Sequence, residues 1–497
     1  MSRPHLLALE AAVRSDAGVS GSTGWTRGDF VRRTALAGAG LALADGWLGD
    51  ALALAAPGEV HVFRSRPDLS PPRVTVVRHG ETGAGELFLA PSSGPGQRGV
   101  LILDNTGEVV YFHPTTPRTA MNFRPGRFHG KPVLTWWEGK AETGLGTGTH
   151  VILDDSYRVV ARLPAGGGRQ SDLHEFALTP QGTALVTSYE VRPADLSAAG
   201  GPMNGEAIGG VVQEIAVPSG RVLFEWRSLD HVALEETHAE FAGHPLDYFH
   251  VNSIDLTRDG NLLVSARNTW GVYKVSRRTG EVMWRLGGRR SDFEMGRGTV
   301  FAWQHDARHH GDGLVSIFDD GAQPQVEPQS RALLIQLDGK RGRATLVRKY
   351  THRPRRIVSR FMGNAQVLGN GNVVVGWGSE PYVTEFAPDG AILLDLKLPK
   401  GGMNYRAFRF PWAGSPSTRP ALAARGRRLY ASWNGATEVA SWEVLAGPRA
   451  SALDVADQIP RSGFETAMVA PAGSRFAAVR ALDRAGNALR RSPSVRL

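Results

Sequence analysis

Short apolar runs separated by glycine-centred turns recur through most of this chain, and that pattern predicts β-hairpins. One arrangement, in which a strand, a polar turn with glycine and a second apolar strand follow each other, occurs at 178–186, 256–264, 309–317 and 367–375. Glycine suits such turns because it adopts positive φ without steric cost. A second type of hairpin, also with glycine in its turn, occupies 102–111, 214–223, 273–284 and 386–393.

Two hairpins together make a four-stranded sheet, and these units recur about every 40–60 residues. Such a period predicts an all-β fold built on a six-bladed β-propeller, in which radial packing protects the sheet edges. The expected blades are 72–115, 119–165, 171–228, 247–288, 301–352 and 361–400. A closing strand is expected within 405–412, so that the propeller domain covers 57–413.

The composition changes after the propeller region. Residues 414–427 are rich in Pro, Ser, Ala and Arg, which is typical of a linker. Beyond this linker, short strands are expected at 429–433, 438–445, 465–469 and 476–483. Their length and alternation predict a small immunoglobulin-like or fibronectin-type β-sandwich over 428–497.

The N-terminal segment 1–56 has the features of an export signal. Arg32 and Arg33 precede an apolar run at 35–44, and Ala53-Leu54-Ala55 is a candidate cleavage site. Paired arginines before such a run indicate a twin-arginine-type signal, and hence an extracellular or cell-envelope protein. The run is shorter than the roughly 20 residues that span a bilayer. After removal of the signal we therefore expect no stable membrane insertion.

Composition narrows the possible chemistry. The 497 residues include no cysteine, which excludes disulfides, thiolate metal sites and cysteine nucleophiles. The net charge is +9, but no block of Lys and Arg and no nucleic-acid-binding motif occurs, so a nucleic-acid partner is not expected. No nucleotide-phosphate motif is present either, and no cofactor is expected. The sequence leaves the oligomeric state open.

Candidate chemistry lies where the predicted innermost strands begin, because these strands face the central channel. His174, His250 and His305 occupy nearly equivalent positions, 4, 6 and 4 residues before their aligned segments. If the blades superpose, three imidazoles converge on one point. A single histidine on a strand is more often structural than catalytic, but three at matching positions favour a functional site.

Further polar residues accompany the histidines. Asn252 is two residues from His250, so both lie on one face of a strand. Arg267 follows the next strand of that blade, and Asn364 stands at the start of the sixth. We expect Asn252 and Asn364 to bind the substrate. Several tryptophans could stack on an aromatic ligand, although blade packing is the favoured interpretation; these are Trp136, Trp137, Trp270 and Trp377.

At these residues the sequence resembles the arylsulfotransferase family, the bacterial type that uses no nucleotide sulfate donor. The resemblance covers most of 57–412 and is carried by the motifs at 172–176, 249–254, 265–267, 304–307 and 369–372. It implies an enzyme that moves a sulfuryl group from an aryl sulfate to a phenol through a sulfated histidine. By position, His305 resembles the nucleophile. The other matching groups resemble those that hold the sulfate oxygens: His174, His250, Asn252 and Arg267.

Two other functions remain open from the residues. Three histidines plus water form a usual catalytic zinc set, which would make the protein a zinc-dependent lyase or hydrolase. Alternatively, the chain is a non-catalytic exported protein whose basic channel binds an anion or an aromatic compound. Metal analysis and a turnover assay distinguish these alternatives from sulfuryl transfer.

Overall fold

The computed structural model describes residues 58–243 and 245–497, and these residues form an all-β fold. The predicted export signal at 1–56 lies outside the described residues. Regular helix within the described ranges is confined to three single-turn 3-10 segments, Ser197–Ala199, Ser228–Asp230 and Leu234–Glu236. In this part of the chain no helix has the length and apolar character needed to cross a membrane.

Six mainly antiparallel sheets account for most strands, and each is named here by its order in the chain. Sheet 1 contains Glu86–Leu89, Gly99–Leu103, Val109–Pro114 and Phe408–Phe410. Sheet 2 contains Thr119–Phe128, Lys131–Glu142, Leu145–Asp154 and Val159–Leu163. Sheet 3 contains Phe176–Leu178, Thr183–Ala194, Gly205–Ala216 and Val222–Arg227, with Leu246–Asp247 paired to its third strand.

The remaining three sheets repeat the same order. Sheet 4 contains Val251–Leu256, Leu262–Ala266, Gly271–Val275 and Val282–Gly287. Sheet 5 contains His305–His309, Leu314–Asp319, Arg331–Asp338 and Arg343–Tyr350, with Glu294–Met295 at its edge. Sheet 6 contains Asn364–Val367, Val373–Gly376, Tyr382–Phe386 and Ile392–Lys397, with Thr75–Arg78 at its edge.

Strands from the two ends of this region pair with sheets that are distant in the sequence. Phe408–Phe410, from the segment expected to supply a closing strand, pairs with Glu86–Leu89 in sheet 1. Thr75–Arg78 instead pairs with Ile392–Lys397 in sheet 6. The expectation that the first unit begins at residue 72 is therefore wrong, because the strand that follows residue 72 hydrogen-bonds to the last sheet rather than to its sequence neighbour.

Side chains alternate between two interfaces along the strands that follow the glycine turns. In sheet 4, Leu263 packs against Val315 of sheet 5, whereas Val264 packs in the cluster that contains Val212 of sheet 3. Both faces of such a strand are buried, which is why the sequence there is continuously apolar. Further clusters join sheets 1 and 2, 2 and 3, 5 and 6, and 6 and 1.

The C-terminal residues form two smaller sheets. Sheet 7 contains Ala421–Arg425, Arg428–Ser432 and Glu465–Val469. Sheet 8 contains Ser441–Arg449, Ala452–Pro460, Phe476–Leu482, Ala488–Arg491 and Val495–Arg496. One core of buried residues, which includes Leu429, Trp442 and Val479, spans both sheets. The segment 414–427, expected to be a linker, thus contains a strand. Three further strands were not expected: Ala452–Pro460, Ala488–Arg491 and Val495–Arg496.

Candidate functional site

The structure brings the three predicted histidines together. His174 precedes the first strand of sheet 3, His250 precedes the first strand of sheet 4, and His305 begins the first strand of sheet 5. The ring centroids of His174 and His250 are 4.8 Å apart. The Tyr405 ring lies between this pair and His305, because its centroid is 5.8 Å from that of His174 and 6.5 Å from that of His305.

Each of these imidazoles is held at Nδ1 by an aspartate. The Nδ1–Oδ2 distances are 2.6 Å for His174 and Asp172, 2.5 Å for His250 and Asp247, and 2.8 Å for His305 and Asp320. A carboxylate at Nδ1 fixes the orientation of the ring and favours the tautomer that leaves Nε2 free of its proton. The three rings therefore share one mode of support and differ in their neighbours.

Burial and nearby positive charge set the protonation of two rings. Burial, and next the Arg267 guanidinium, hold the pKa of His305 well below its ordinary value. Burial also lowers the pKa of His174, although the Asp172 carboxylate opposes that shift. Burial raises the pKa of Asp320, and Arg267 opposes this. His305 is consequently neutral near pH 7, the form in which imidazole is a nucleophile.

Arg267 stands beside His305 on the turn that follows the second strand of sheet 4. Its Nη1 donates to Asn268 Oδ1 at 3.0 Å, and its Nη2 donates to the Arg360 carbonyl at 3.3 Å. Its guanidinium carbon lies 4.8 Å from the ring centroid of Trp303. Since a guanidinium has five N–H donors, this arrangement leaves donors for an anionic group near His305.

The two predicted asparagines hold backbone segments. Asn252 Nδ2 donates to the Gln304 carbonyl at 2.6 Å, which ties sheet 4 to the residue before His305. Asn364 Nδ2 donates to the Ala407 carbonyl at 2.8 Å, and its Oδ1 accepts from the Ala407 N–H at 2.8 Å. Both polar atoms of Asn364 are thereby used within the chain, so positioning is the role that its contacts support.

A buried network of charges adjoins the histidines. Glu175 is fully buried and contacts three guanidinium groups, those of Arg124 at 2.7 Å, Arg308 at 2.5 Å and Arg406 at 3.1 Å. Asp306 adds a second carboxylate to Arg308 and Arg406. Although burial opposes it, these arginines hold the pKa of Glu175 far below its usual range. The network links sheets 2, 3 and 5 to the segment that leads into sheet 1.

Sequence reasoning missed Tyr405, Arg406 and Asp320. Tyr405 Oη lies 3.3 Å from the His174 carbonyl and 3.2 Å from the Asn252 carbonyl, so it anchors the backbone of two sheets. Asp320 directly follows Leu314–Asp319, the strand in which Phe318 pairs with His305. Tyr405 and Arg406 were seen only as the start of a possible closing strand.

Several site residues have backbone angles that are unusual for their type. Positive φ occurs at His250 (55°), Trp270 (51°), Trp303 (58°) and Asp306 (56°). Residues other than glycine rarely adopt this region, and such strain is often found at functional sites. Among residues 58–243 and 245–497, no group of three or more His, Asp or Glu side chains is placed to hold a metal ion.

Comparisons with known proteins identify one family. The family model for "Arylsulfotransferase (ASST)" matches residues 124–398, which is more than half of the chain. This range contains the three histidines, Arg267 and both asparagines. No curated protein matches the sequence.

Solved structures show only distant similarity. A protein of unknown function from Bacteroides caccae is 12% identical, with a TM-score of 0.42, over 65% of this chain and 98% of that one. A virginiamycin B lyase from Staphylococcus aureus is 8% identical, with a TM-score of 0.34, over 73% and 96%. An aldose sugar dehydrogenase from Streptomyces coelicolor is 13% identical, with a TM-score of 0.31, over 66% and 99%. Similarity at this level gives no information about activity.

Proposed function

This chain belongs to the arylsulfotransferase family, and we propose that it transfers a sulfuryl group from an aryl sulfate to a phenol through a sulfated His305. The observation that carries the proposal is the meeting of three Asp-supported imidazoles, of which His305 is the one beside Arg267. The family match supports aryl sulfotransfer in general, and the geometry supports the assignment of roles within it.

In the first half-reaction, Nε2 of His305 attacks sulfur while its Nδ1–H donates to Asp320. An N–S bond forms, the bond between sulfur and the aryl oxygen breaks, and the phenolate leaves with that electron pair. His250 in its protonated form gives the phenolate a proton. Arg267 neutralises charge on the sulfate oxygens, which matters because positioning and charge stabilisation dominate transfers of this kind.

In the second half-reaction, His250 removes the proton of the acceptor phenol, and the phenol oxygen attacks sulfur. The N–S bond breaks, its electron pair returns to His305, and the new aryl sulfate leaves. His250 is protonated again at the end of the cycle, so no proton is gained or lost overall. A covalent intermediate divides one difficult transfer into two easier ones. We assign positioning roles to Asn252 and Asn364.

The proposal extends to the fold and the location of the protein. We propose that sheets 1 to 6 are the blades of a six-bladed β-propeller over 57–413, and that sheets 7 and 8 form a β-sandwich. The cyclic order of the apolar clusters between sheets supports the first part, and the shared core of the last two sheets supports the second. Export through the twin-arginine-type segment at 1–56 is likewise proposed, from the sequence alone.

The test is turnover of 4-nitrophenyl sulfate with phenol as acceptor, followed by mass spectrometry of enzyme treated with donor alone. Trypsin releases a peptide, 298–308, in which His305 is the one histidine. We expect this peptide to carry an added sulfuryl group, and His305→Ala to lose both the adduct and turnover. His309→Ala, four residues further along the same strand, is the matched control and should keep both. Turnover that survives His305→Ala would overturn the assignment.

A further inference from the structure

The four tryptophans that could stack on an aromatic ligand fall into two groups by burial and hydrogen bonding. Trp136, Trp137 and Trp377 are at most 1% exposed. Their indole N–H groups donate to Glu138, to the Ser171 carbonyl and to Thr384 respectively. Trp270 is partly exposed, and its Nε1 has no hydrogen-bond partner among the described residues. Core packing and hydrogen bonding thus account for three of these side chains, whereas the indole N–H of Trp270 has no such bond within the described part of the chain.

Trp270 is the centre of an aromatic wall, a name used here for His238, Trp270 and Trp303. The rings of Trp270 and His238 are stacked, with centroids 3.7 Å apart and an interplanar angle of 2°. Trp303 meets Trp270 edge-on at 5.2 Å and 77°, and its own ring lies under the Arg267 guanidinium. The wall therefore continues directly into the group that we expect to bind the sulfate.

One turn holds the wall and Arg267 together. Asn268 accepts from Arg267 at Oδ1, donates through Nδ2 to the Asp247 carbonyl at 2.7 Å, and accepts the His238 N–H at its own carbonyl at 2.7 Å. Asp247 is the residue that supports His250. Asn268 therefore holds His238, one ring of the stacked pair, and also connects Arg267 to the backbone of Asp247.

Two residues of the wall have backbone angles that are unusual for tryptophan. Trp270 and Trp303 both have positive φ, at 51° and 58°. For a bulky residue this region is unfavourable, and it persists only where the surroundings enforce it. The ring of His238 remains uncharged near neutral pH, because burial, and next the Arg289 charge, lower its pKa to about 4. A neutral stacked pair beside a cation suits a flat aromatic ligand that carries an anionic group.

We propose that the aromatic wall binds the aryl part of donor and acceptor, and that Trp270 makes the site prefer fused-ring aromatic compounds over single rings. This inference rests on the proposed function, since Arg267 is taken to hold the sulfate. The indole offers a two-ring surface, so the contact area and the gain in binding increase when the substrate also has two rings.

The experiment compares 2-naphthyl sulfate with phenyl sulfate in wild type, Trp270→Ala and Trp270→Phe. We expect KM for 2-naphthyl sulfate to rise roughly 3- to 10-fold in Trp270→Ala with kcat little changed, because a lost ring contact weakens ground state and transition state alike. The change for phenyl sulfate should be smaller. Trp270→Phe should restore most of the phenyl sulfate KM. An unchanged ratio of the two kcat/KM values in both variants would overturn the proposal.

Trp284 provides the matched control, because it is a partly buried tryptophan on the outer strand of the same sheet, packed edge-on against Phe293. Trp284→Ala should leave the substrate ratio at the wild-type value. Calorimetric binding of 2-naphthol and phenol gives a second readout that needs no turnover. If wild type turns over no aryl sulfate, the proposed function fails, whereas loss of the 2-naphthol preference in Trp270→Ala still tests the wall by itself.

Discussion

At the scale of single residues, the three histidines differ in what lies around them rather than in how they are held. Each has an aspartate at Nδ1, but the foremost charge acting on the ring is Arg267 for His305 and Asp172 for His174. This places a neutral, oriented imidazole next to a guanidinium that can receive the sulfate. Asp320 therefore acts through His305 as a positioning residue.

Replacing Asp320 with asparagine tests that role. In Asp320→Asn the amide N–H₂ would face Nδ1, which favours the imidazole tautomer with its proton on Nε2 and removes the nucleophilic lone pair. We expect kcat to fall by about 10²–10⁴-fold, by analogy with the same change in other Asp–His pairs. Steady-state kinetics with 4-nitrophenyl sulfate, together with the yield of the sulfated 298–308 peptide, measure the effect. KM should change little.

The control is another Asp–His pair, which lies outside the three-histidine cluster. His352 Nε2 lies 3.1 Å from Asp395, and His352 is fully buried. Asp395→Asn should reduce stability more than activity. An Asp320→Asn enzyme with wild-type kcat and an unchanged pH profile would show that Asp320 does not set the tautomer of His305.

Histidines at equivalent positions could be predicted from the sequence because the repeat itself aligns them. The first strands of sheets 3, 4 and 5 begin at or within two residues of these histidines, so His174, His250 and His305 reach one region. The aspartates follow no such rule: Asp172 and Asp247 precede their histidines by two and three residues, whereas Asp320 follows by fifteen. These contacts depend on local turns, which the sequence pattern does not specify.

At the scale of elements, the charge network is what connects strands of different sheets. Glu175 lies before the first strand of sheet 3, Arg124 lies in sheet 2, and Arg308 lies in sheet 5. Arg308 Nη1 also donates to the Ile254 carbonyl in sheet 4 at 2.9 Å. Because Glu175 is fully buried and the Arg124 and Arg308 side chains are only 16% and 14% exposed, each charge depends on its partners for compensation.

Neutralising Glu175 should therefore be costly. In Glu175→Gln one buried guanidinium group, that of Arg406, and two largely buried ones lose their shared carboxylate. We expect the free energy of unfolding to fall by about 3–5 kcal/mol. Urea unfolding followed by circular dichroism measures this change. Glu138→Gln is the control, since Glu138 also pairs with two arginines, Arg118 and Arg162, that are 63% and 44% exposed. Its loss should be about 1 kcal/mol or less, and equal losses in the two variants would contradict the proposed role of burial.

The positions of most strands could be predicted from the sequence, whereas the partners with which some strands pair could not. The glycine turns at 260 and 371 fall where the structure has hairpins, between Val251–Leu256 and Leu262–Ala266 and between Asn364–Val367 and Val373–Gly376. The partner of Thr75–Arg78 could not be predicted, because a short exposed strand has no pattern that selects one distant sheet edge over another. Ala421–Arg425 was missed for a related reason: its alanines and arginines read as linker composition.

At the scale of the whole molecule, contacts join the C-terminal sheets to the rest of the chain. Asn434 accepts the Phe112 N–H at 2.9 Å and donates to the Phe112 carbonyl at 2.8 Å. The ring of Phe464 packs against Phe63 with centroids 4.2 Å apart. Phe63 and Phe464 both belong to the apolar cluster that joins sheets 6 and 1, so this contact connects the C-terminal residues to that cluster.

Stability at acid pH is a property of the whole chain, because every histidine that folding keeps neutral contributes to the loss of folding free energy on acidification. Burial holds the pKa of His61 at about 4, with Arg73 as a second cause, and holds the pKa of His150 at about 3. In the unfolded chain each titrates near the ordinary 6.5. Between these values the unfolded state binds more protons, so stability is fully present above about pH 6.5 and is lost as the pH falls below it.

His150 allows this effect to be isolated, because it is fully buried, stacked on Phe176 at 4.4 Å, and without a hydrogen-bond partner for either ring nitrogen among the described residues. His150→Phe keeps an aromatic ring there and removes the titration. Urea unfolding at pH 7.5 and pH 5 should show a stability difference smaller than that of wild type by about 2 kcal/mol. His231→Phe, at an exposed ring stacked on Trp226, should retain the wild-type difference. Carboxylates with lowered pKa values, such as that of Glu225 at about 2, stay ionised between pH 5 and pH 7.5. If the stability difference in His150→Phe equals that of wild type, His150 is not neutral in the fold.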